Sequence, residues 1–411
     1  MNDASALPSP PPPAAADARP APRPLRVMVS AGEVSGDMYA AAIVRELRRL
    51  RPDRPVEVFG LGGDRLLEAG ADLFEHASRT GVIGFWEVAR RARFFARLLR
   101  RMKAALAERR PDLLLTVDYP GMNLRLAAEA KRRGIPAVHY VCPQVWAWHR
   151  DRIPKIAAAL DRLIALFPFE PALFDGTGLD VRFAGHPLVE QVAASLREAA
   201  SAPPLPWREG TRRVALFAGS RRNEVRRIFP DVLAGAALAE ERLGEPCTFL
   251  LPVPTAERAA EVRAAVAAAR RRPDRVEVVE GRSRQILHEA EAAVVKSGTS
   301  TLEAAIVGCP QVVVYRVGWT TYRIMRHLLT GVRWIGLVNI VPGRSVAKEL
   351  IQYGLTPEAV ADELVALLSD PARRAEQLAA YEETRRLLGG EGAAARAAAL
   401  VAELLPPPTI A

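Results

Sequence analysis

The sequence predicts an α/β protein of two doubly wound, Rossmann-like domains facing each other across a cleft. Three observations predict it. Short apolar runs alternate with helical stretches along the whole chain, the pattern of strand–helix–strand units and parallel sheets. At 411 residues the chain is too long for one ordinary hydrophobic core. A stretch rich in Ala, Pro and charge, 197–212, reads as a linker, and after it the alternation restarts. Hydrophobic content of 49% against 25% charged residues belongs to a globular chain and excludes a disordered one.

The net charge of +10 leaves three classes of partner: nucleic acid, an anionic membrane surface, or anionic small substrates. Cys142, Cys247 and Cys309 stand far apart with no paired spacing. They offer neither a zinc site nor a disulfide framework, which fits a reducing compartment. No uninterrupted apolar run reaches the ~18–20 residues that span a bilayer. Residues 1–24 are Pro/Ala-rich without the apolar stretch of a secretory signal, and are expected to form a flexible tail, as are 406–411.

The first domain is expected over 25–196. An apolar strand, Leu25 to Ser30, runs into Ala31-Gly32-Glu33-Val34-Ser35-Gly36-Asp37 and a helical run from Met38 to Leu50. Such a βα turn lies at the carboxyl edge of a parallel sheet, where ligands gather, and this one carries the carboxylates of Glu33 and Asp37. A plain loop with Ser35 and Asp37 as helix caps has the same composition. Gly60-Leu61-Gly62-Gly63 follows the next strand but lacks the third glycine of a dinucleotide fingerprint, so it reads as a tight turn. Phe94, Phe95, Leu98, Leu99 and Met102 then recur at helical spacing with arginines in the gaps. That is either a core-packed helix with a solvated basic face or a membrane-surface element. Phe85 and Trp86 just before it, and a second segment of the same character from Trp319 to Trp334, favour lipid contact.

Pro111 to Val117 is a buried strand ended by Asp118. A carboxylate just past a strand's carboxyl end is placed to take a proton from an attacking hydroxyl, or to hold an Asx-turn. The strand Ile135 to Val141 enters a loop holding Trp146 and Trp148, which either wall a ligand or simply pack. Strands at Leu163 to Phe167 and from Val181 close this half.

The second domain is expected over 213–356. The strand Arg213 to Phe217 leads to Gly219-Ser220-Arg221, a turn whose forked donors suit a phosphate. Strands follow at Thr248 to Val253 and Val276 to Val279. Val294-Val295-Lys296 then ends in Ser297-Gly298-Thr299-Ser300-Thr301-Leu302-Glu303. This is a strand, a tight turn and a helix start, with Ser297 and Thr299 as candidate caps and Gly298 letting the backbone approach a ligand. Free N–H groups and the helix dipole hold a phosphate, Lys296 adds a full charge, and Glu303 can accept from both hydroxyls of a ribose. An ordinary capped unit with Glu303 solvated looks the same. Gln311 to Tyr315 is the last strand, and 357–405 is helical.

Taken in order, these segments resemble the lipid-A-disaccharide synthase family, glycosyltransferases of the two-Rossmann-domain (GT-B) type. The resemblance rests on Ala31 to Asp37, Gly84 to Val88, Val117 to Pro120, His139 to Trp148, Pro168-Phe169-Glu170, Gly185-His186, Gly219 to Arg221 with Glu224-Val225, Ser297 to Glu303, Tyr315-Arg316, Asn339, and Lys348 to Gln352. It covers nearly all of the chain between the tails. It implies an inverting transfer from UDP-2,3-diacylglucosamine to 2,3-diacylglucosamine 1-phosphate, with a β-1′,6 linkage formed and UDP released. Asp118 would be the base. Gly219, Ser220, Arg221, Lys296, Ser297, Gly298, Thr299, Thr301, Glu303, Tyr315, Arg316 and Asn339 would form the donor side. Glu33, Ser35, Gly36, Asp37, Trp146 and Trp148 would lie on the acceptor side. The resemblance also implies an enzyme on the inner face of the cytoplasmic membrane, and allows a homodimer. The chain departs from the family at Gly121, where a second Asp is usual. It contains no Asp-Xaa-Asp, so neither metal nor cofactor is expected, and no RNA-binding motif, so no nucleic-acid partner is expected. Another UDP-sugar enzyme of this fold, an epimerase or polyprenyl-linked sugar transferase, and a basic lipid- or RNA-binding module are the competing readings.

Overall fold

In the computed structural model of the chain, the described residues are 23–80, 92–219, 222–328 and 332–407. They form two wholly parallel sheets. The first contains β1 (Leu25–Ala31), β2 (Val56–Gly62), β3 (Asp72–His76), β4 (Leu113–Val117), β5 (Ala137–Tyr140), β6 (Arg162–Ala165) and β7 (Asp180–Phe183), in the order β3-β2-β1-β4-β5-β6-β7. The second contains β8 (Arg212–Phe217), β9 (Cys247–Val253), β10 (Val276–Glu280), β11 (Ala292–Lys296), β12 (Gln311–Tyr315) and β13 (Glu349–Ile351), in the order β10-β9-β8-β11-β12-β13. The central strands are buried along nearly their whole length, as strands covered by helices on both faces must be.

Alternate residues of each strand feed separate core layers. In the first sheet, Val27, Val29, Leu113 and Leu115 pack with Ile43, Val44 and Leu47 of the Val34–Leu50 helix. Met28 and Leu114 face the other way, onto Leu98, Met102 and Leu106 of the Ala92–Arg109 helix and Leu126 of the Pro120–Arg132 helix. Leu98 and Met102 are therefore core residues, 3% and 0% exposed, and not membrane contacts. Arg93, Arg97, Arg100 and Arg101 of the same helix face solvent, while Phe94, Phe95 and Leu99 are half-buried. Phe85 and Trp86 lie outside the described residues. Among the described residues no helix is long and apolar enough to cross a membrane.

One reading of the sequence changes. Gly60 belongs to β2, not to a tight turn, and the register with β3 slips between Gly60 and Leu61. With φ at +145°, a Cβ at Gly60 would stand 2.0 Å from the Val29 carbonyl oxygen, so glycine serves strand-to-strand approach. The C-terminal stretch is helical as expected, and its helices divide between the two sheets. The Pro357–Ser369 helix packs Val360 and Leu364 onto the second sheet's core. The Ala393–Ala402 helix crosses back and packs Ala397, Ala398 and Val401 with Ala40, Ile43 and Leu47 of the first.

In both sheets the strand order reverses once, between β1 and β4 and between β8 and β11. The crevice at such a switch point is where an open parallel sheet binds its ligand. The loops after β1, β4, β8 and β11 include the turns around Glu33, Asp118, Gly219 and Ser297.

Candidate functional site

Asp118 and Tyr119 follow β4 with φ of +50° and +52°, a backbone that non-glycine residues enter rarely. The Tyr119 N–H donates to Asp118 Oδ1 at 2.8 Å, leaving Oδ2 without a partner among the described residues. Burial raises the Asp118 carboxyl above its usual range, with the Tyr119 N–H pulling the other way. Strain at an acidic residue on a strand's carboxyl end is a common mark of a working site.

Asp118 lines two cavities. One, of 430 Å³, joins the two halves: Asp118, Ser35, Tyr39, Trp146 and Trp148 come from the first, Thr299 and Leu337 from the second. The other, of 670 Å³, lies against Glu33, Phe95, Leu99 and Met122. A third, of 350 Å³, contains Phe217, Gly219, Lys296, Ser297, Gly298, Thr299 and Ser300. Thr299 borders the first and third cavities and Asp118 the first and second, so the three run in series with these residues at the joints.

The turn after β11 supplies backbone donors. The helix spans Ser300–Val307, and the N–H groups of Gly298, Thr299 and Ser300 have no partner among the described residues. Gly298 has φ at +151° with open space where a Cβ would stand, so its dihedral, not crowding, demands glycine. Side-chain capping does not occur. The Thr299 hydroxyl makes no cap bond, Thr301 Oγ1 donates to the Gly298 carbonyl at 2.8 Å, and Ser297 Oγ donates to the Ile335 carbonyl at 2.7 Å. Lys296 is balanced by Glu224 at 3.0 Å and lies 5.8 Å from the Tyr315 ring centre. Ser220 and Arg221 lie outside the described residues.

Glu303 does not stand solvated. Its Oε1 accepts from Arg284 Nε at 2.9 Å, and Arg284 also donates to the Gln191 carbonyl and to Ser195 Oγ, both at 2.8 Å, on the first half's Leu188–Ala199 helix. The turn cavity and the Glu303 carboxylate are thus adjacent features, with a bridge between the halves running through the latter.

Three expected ligand residues are scaffold instead. Asp37 is buried and accepts from the N–H groups of Gly63, Arg65 and Leu66, capping the Asp64–Glu68 helix. Arg316 spends its guanidinium on Asp231 and the carbonyls of Gln352, Leu355 and Arg227. Asn339 is fully buried, donating to the Ala347 carbonyl and Glu349 and accepting from the N–H groups of Val346 and Ala347. Glu349 in turn accepts from the Ile335 and Gly336 N–H groups, so Asn339 sits behind the loop that holds Ser297. Gly36 packs against Val117, with its Cβ position 3.5 Å from the Val117 carbonyl oxygen.

The shared cavity holds two groups that the motif reading gave no role. Glu170, 1% exposed, accepts from the Leu166 and Phe167 N–H groups at 3.0 Å, and burial pushes its carboxyl up to about 7. His186 Nδ1 accepts from the Leu188 N–H at 3.1 Å, and burial lowers its pKa to about 4. The ring is neutral near pH 7 and, with Nδ1 accepting, carries its proton on Nε2. The Phe167 ring stacks on Phe169 at 5.5 Å and lies 5.2 Å from His186, and Trp146 meets Phe169 edge-on at 5.9 Å. Among the described residues no group of three or more His, Cys, Asp or Glu is placed to hold a metal.

The profile of the family described as lipid-A-disaccharide synthetase matches residues 27–404. The chain is 42% identical over 376 residues to the lipid-A-disaccharide synthase of Anaeromyxobacter dehalogenans (strain 2CP-1 / ATCC BAA-258), covering 91% of this chain and 96% of that one. To the synthase of Myxococcus xanthus (strain DK1622) it is 40% identical over 385 residues, covering 93% and 98%. Among solved structures, a putative UDP-N-acetylglucosamine 2-epimerase from Listeria monocytogenes superposes with a TM-score of 0.61 at 15% identity, covering 90% and 94%. MurG of Acinetobacter baumannii superposes with a TM-score of 0.54 at 14% identity, covering 93% and 100%. At such identities these two speak for the shared fold alone.

Proposed function

The chain belongs to the lipid-A-disaccharide synthetase family and is a glycosyltransferase of lipid A biosynthesis with the GT-B fold, and we propose how its cavities carry out the transfer. The donor is UDP-2,3-diacylglucosamine and the acceptor 2,3-diacylglucosamine 1-phosphate. The acceptor's 6-hydroxyl oxygen attacks the donor's anomeric carbon. The bond from that carbon to the diphosphate oxygen breaks, and UDP leaves with the electron pair. Attack from the face opposite the leaving group inverts the centre. Asp118 Oδ2 takes the hydroxyl proton, a role its burial-raised basicity suits.

The observation that carries this reading is the 430 Å³ cavity that Asp118 and Thr299 share across the two halves. The unpartnered N–H groups of Gly298, Thr299 and Ser300 receive the diphosphate, and the helix behind them offsets the charge that grows on the leaving group. Glu303 takes the ribose with the carboxylate oxygen that Arg284 leaves open. The acylated substrates bring the enzyme to the membrane surface, where the exposed arginines of the Ala92–Arg109 helix meet anionic headgroups.

Asp118→Ala tests the assignment. Disaccharide formation from defined lipid substrates falls by about 100-fold or more, while the UDP dissociation constant stays within about twofold. A parallel loss of UDP affinity would show that Asp118 serves the donor site and not the acceptor proton.

A further inference from the structure

The 670 Å³ cavity between the Ala92–Arg109 and Pro120–Arg132 helices opens beside Asp118. Its apolar wall is Phe95, Ala96, Leu99 and Met122; Glu33 and Asp118 stand at its polar margin, and Arg125 also lines it. Arg125 is exposed and has no carboxylate partner among the described residues. One turn further on, Glu129 is already surrounded by Lys103, Arg132 and Arg133. The Arg125 charge is thus left open beside an apolar wall. At Gly121 a Cβ would meet nothing within 4 Å, so the helix start adds room rather than bulk.

An acylated sugar phosphate has three parts: a hydroxyl, a hydrocarbon chain and a dianion. The cavity offers a counterpart to each, in one place. Arg125 lies five residues into its helix from Pro120, about 7.5 Å along the axis, a span on the order of one hexose ring. We propose that this cavity is the acyl subsite of the acceptor and that Arg125 binds the acceptor's phosphate. This rests on the transfer reading above, which assigns the acceptor hydroxyl to Asp118. A guanidinium fork suits a phosphate dianion better than an ammonium would.

The test compares two acceptors, acylated glucosamine with and without its 1-phosphate. Arg125→Ala raises KM for the phosphorylated acceptor about 10- to 100-fold, leaves the other acceptor and the donor KM unchanged, and so removes the preference between them. Arg125→Lys restores part of it. Filling the cavity with Ala96→Trp makes kcat/KM fall with acceptor chain length, about fourfold for each methylene that no longer fits, and spares the shortest chain. Thermal unfolding of each variant checks that it is folded. Equal losses on both acceptors in Arg125→Ala, or a loss in folded Ala96→Trp that ignores chain length, would overturn the assignment. Should the wild-type chain form no disaccharide, the transfer reading fails, and calorimetric binding of the acylated sugar phosphate to wild type and Arg125→Ala decides the subsite by itself.

Discussion

Glu170 and His186 line the same cavity, and burial shifts them in opposite senses. Glu170 holds its proton up to about pH 7, against a usual value of 4.5. Between those values the folded chain binds a proton that the unfolded chain has released, so this group's contribution to stability is full below about pH 4.5 and lost as pH rises towards 7. His186, and His139 buried in β5, titrate near 4 instead of 6.5. There the unfolded chain binds the extra protons, so their contribution is present above about pH 6.5 and lost as pH falls towards 4. Glu170→Gln isolates one term, because glutamine keeps an acceptor for the Leu166 and Phe167 N–H groups but cannot ionise. Relative to the parent, this variant gains stability from about pH 4.5 to 7, by up to about 3 kcal/mol. Denaturant unfolding of the two proteins across that range checks it, and parallel curves would place the Glu170 carboxyl at its ordinary pKa.

The Ala92–Arg109 helix shows what an amphipathic pattern does and does not settle. Its apolar spacing fits a membrane face and a core face equally well, because both demand one greasy stripe. Packing decides: Leu98, Met102 and Leu106 sit on Met28 and Leu114 of the sheet. Leu106→Ala therefore costs about 2–5 kcal/mol of unfolding free energy, while Arg97→Ala on the opposite, exposed face stays within about 0.5 kcal/mol. Thermal or urea unfolding measures both, and equal small effects would return the stripe to the surface. The buried central strands and the turns after β1, β4, β8 and β11 were legible in the sequence, since continuous apolar runs ending in small or polar residues have few other uses. β3 and β13 were not, because Asp-Leu-Phe-Glu-His and a three-residue strand at sheet edges carry little pattern. The roles of Asp37, Arg316 and Asn339 were also hidden. A carboxylate in a ligand loop and a carboxylate capping a helix that starts 27 residues later are the same letter, and only the fold brings Asp37 to Gly63.

Across the whole molecule, the chain's last helix belongs to its first half. Arg162 of β6 donates to Asp180, to Glu403 and to the Leu400 carbonyl, and Arg51 donates to the Pro406 carbonyl at 3.0 Å. Arg396 reaches the Ala184 carbonyl at 2.8 Å, and the Gly392 N–H donates to Glu190 at 2.6 Å. With Ala397, Ala398 and Val401 these contacts cover the Val34–Leu50 helix, whose N-terminal turn borders both cavities that Asp118 lines. Deleting residues 393–411 uncovers Ala40, Ile43 and Leu47 and strips the buried Arg162 of two of its acceptors, while Ala293, Val295 and Ala304 beside the turn after β11 stay packed in a separate core. Turnover then collapses with UDP affinity little changed. In hydrogen exchange, amides of β1 and of the Val34–Leu50 helix lose protection while those of β8 and β11 keep theirs. Uniform loss across both sheets would mean that the halves unfold as one unit, and that the returning helix fastens the pair together instead of completing the half that carries Asp118.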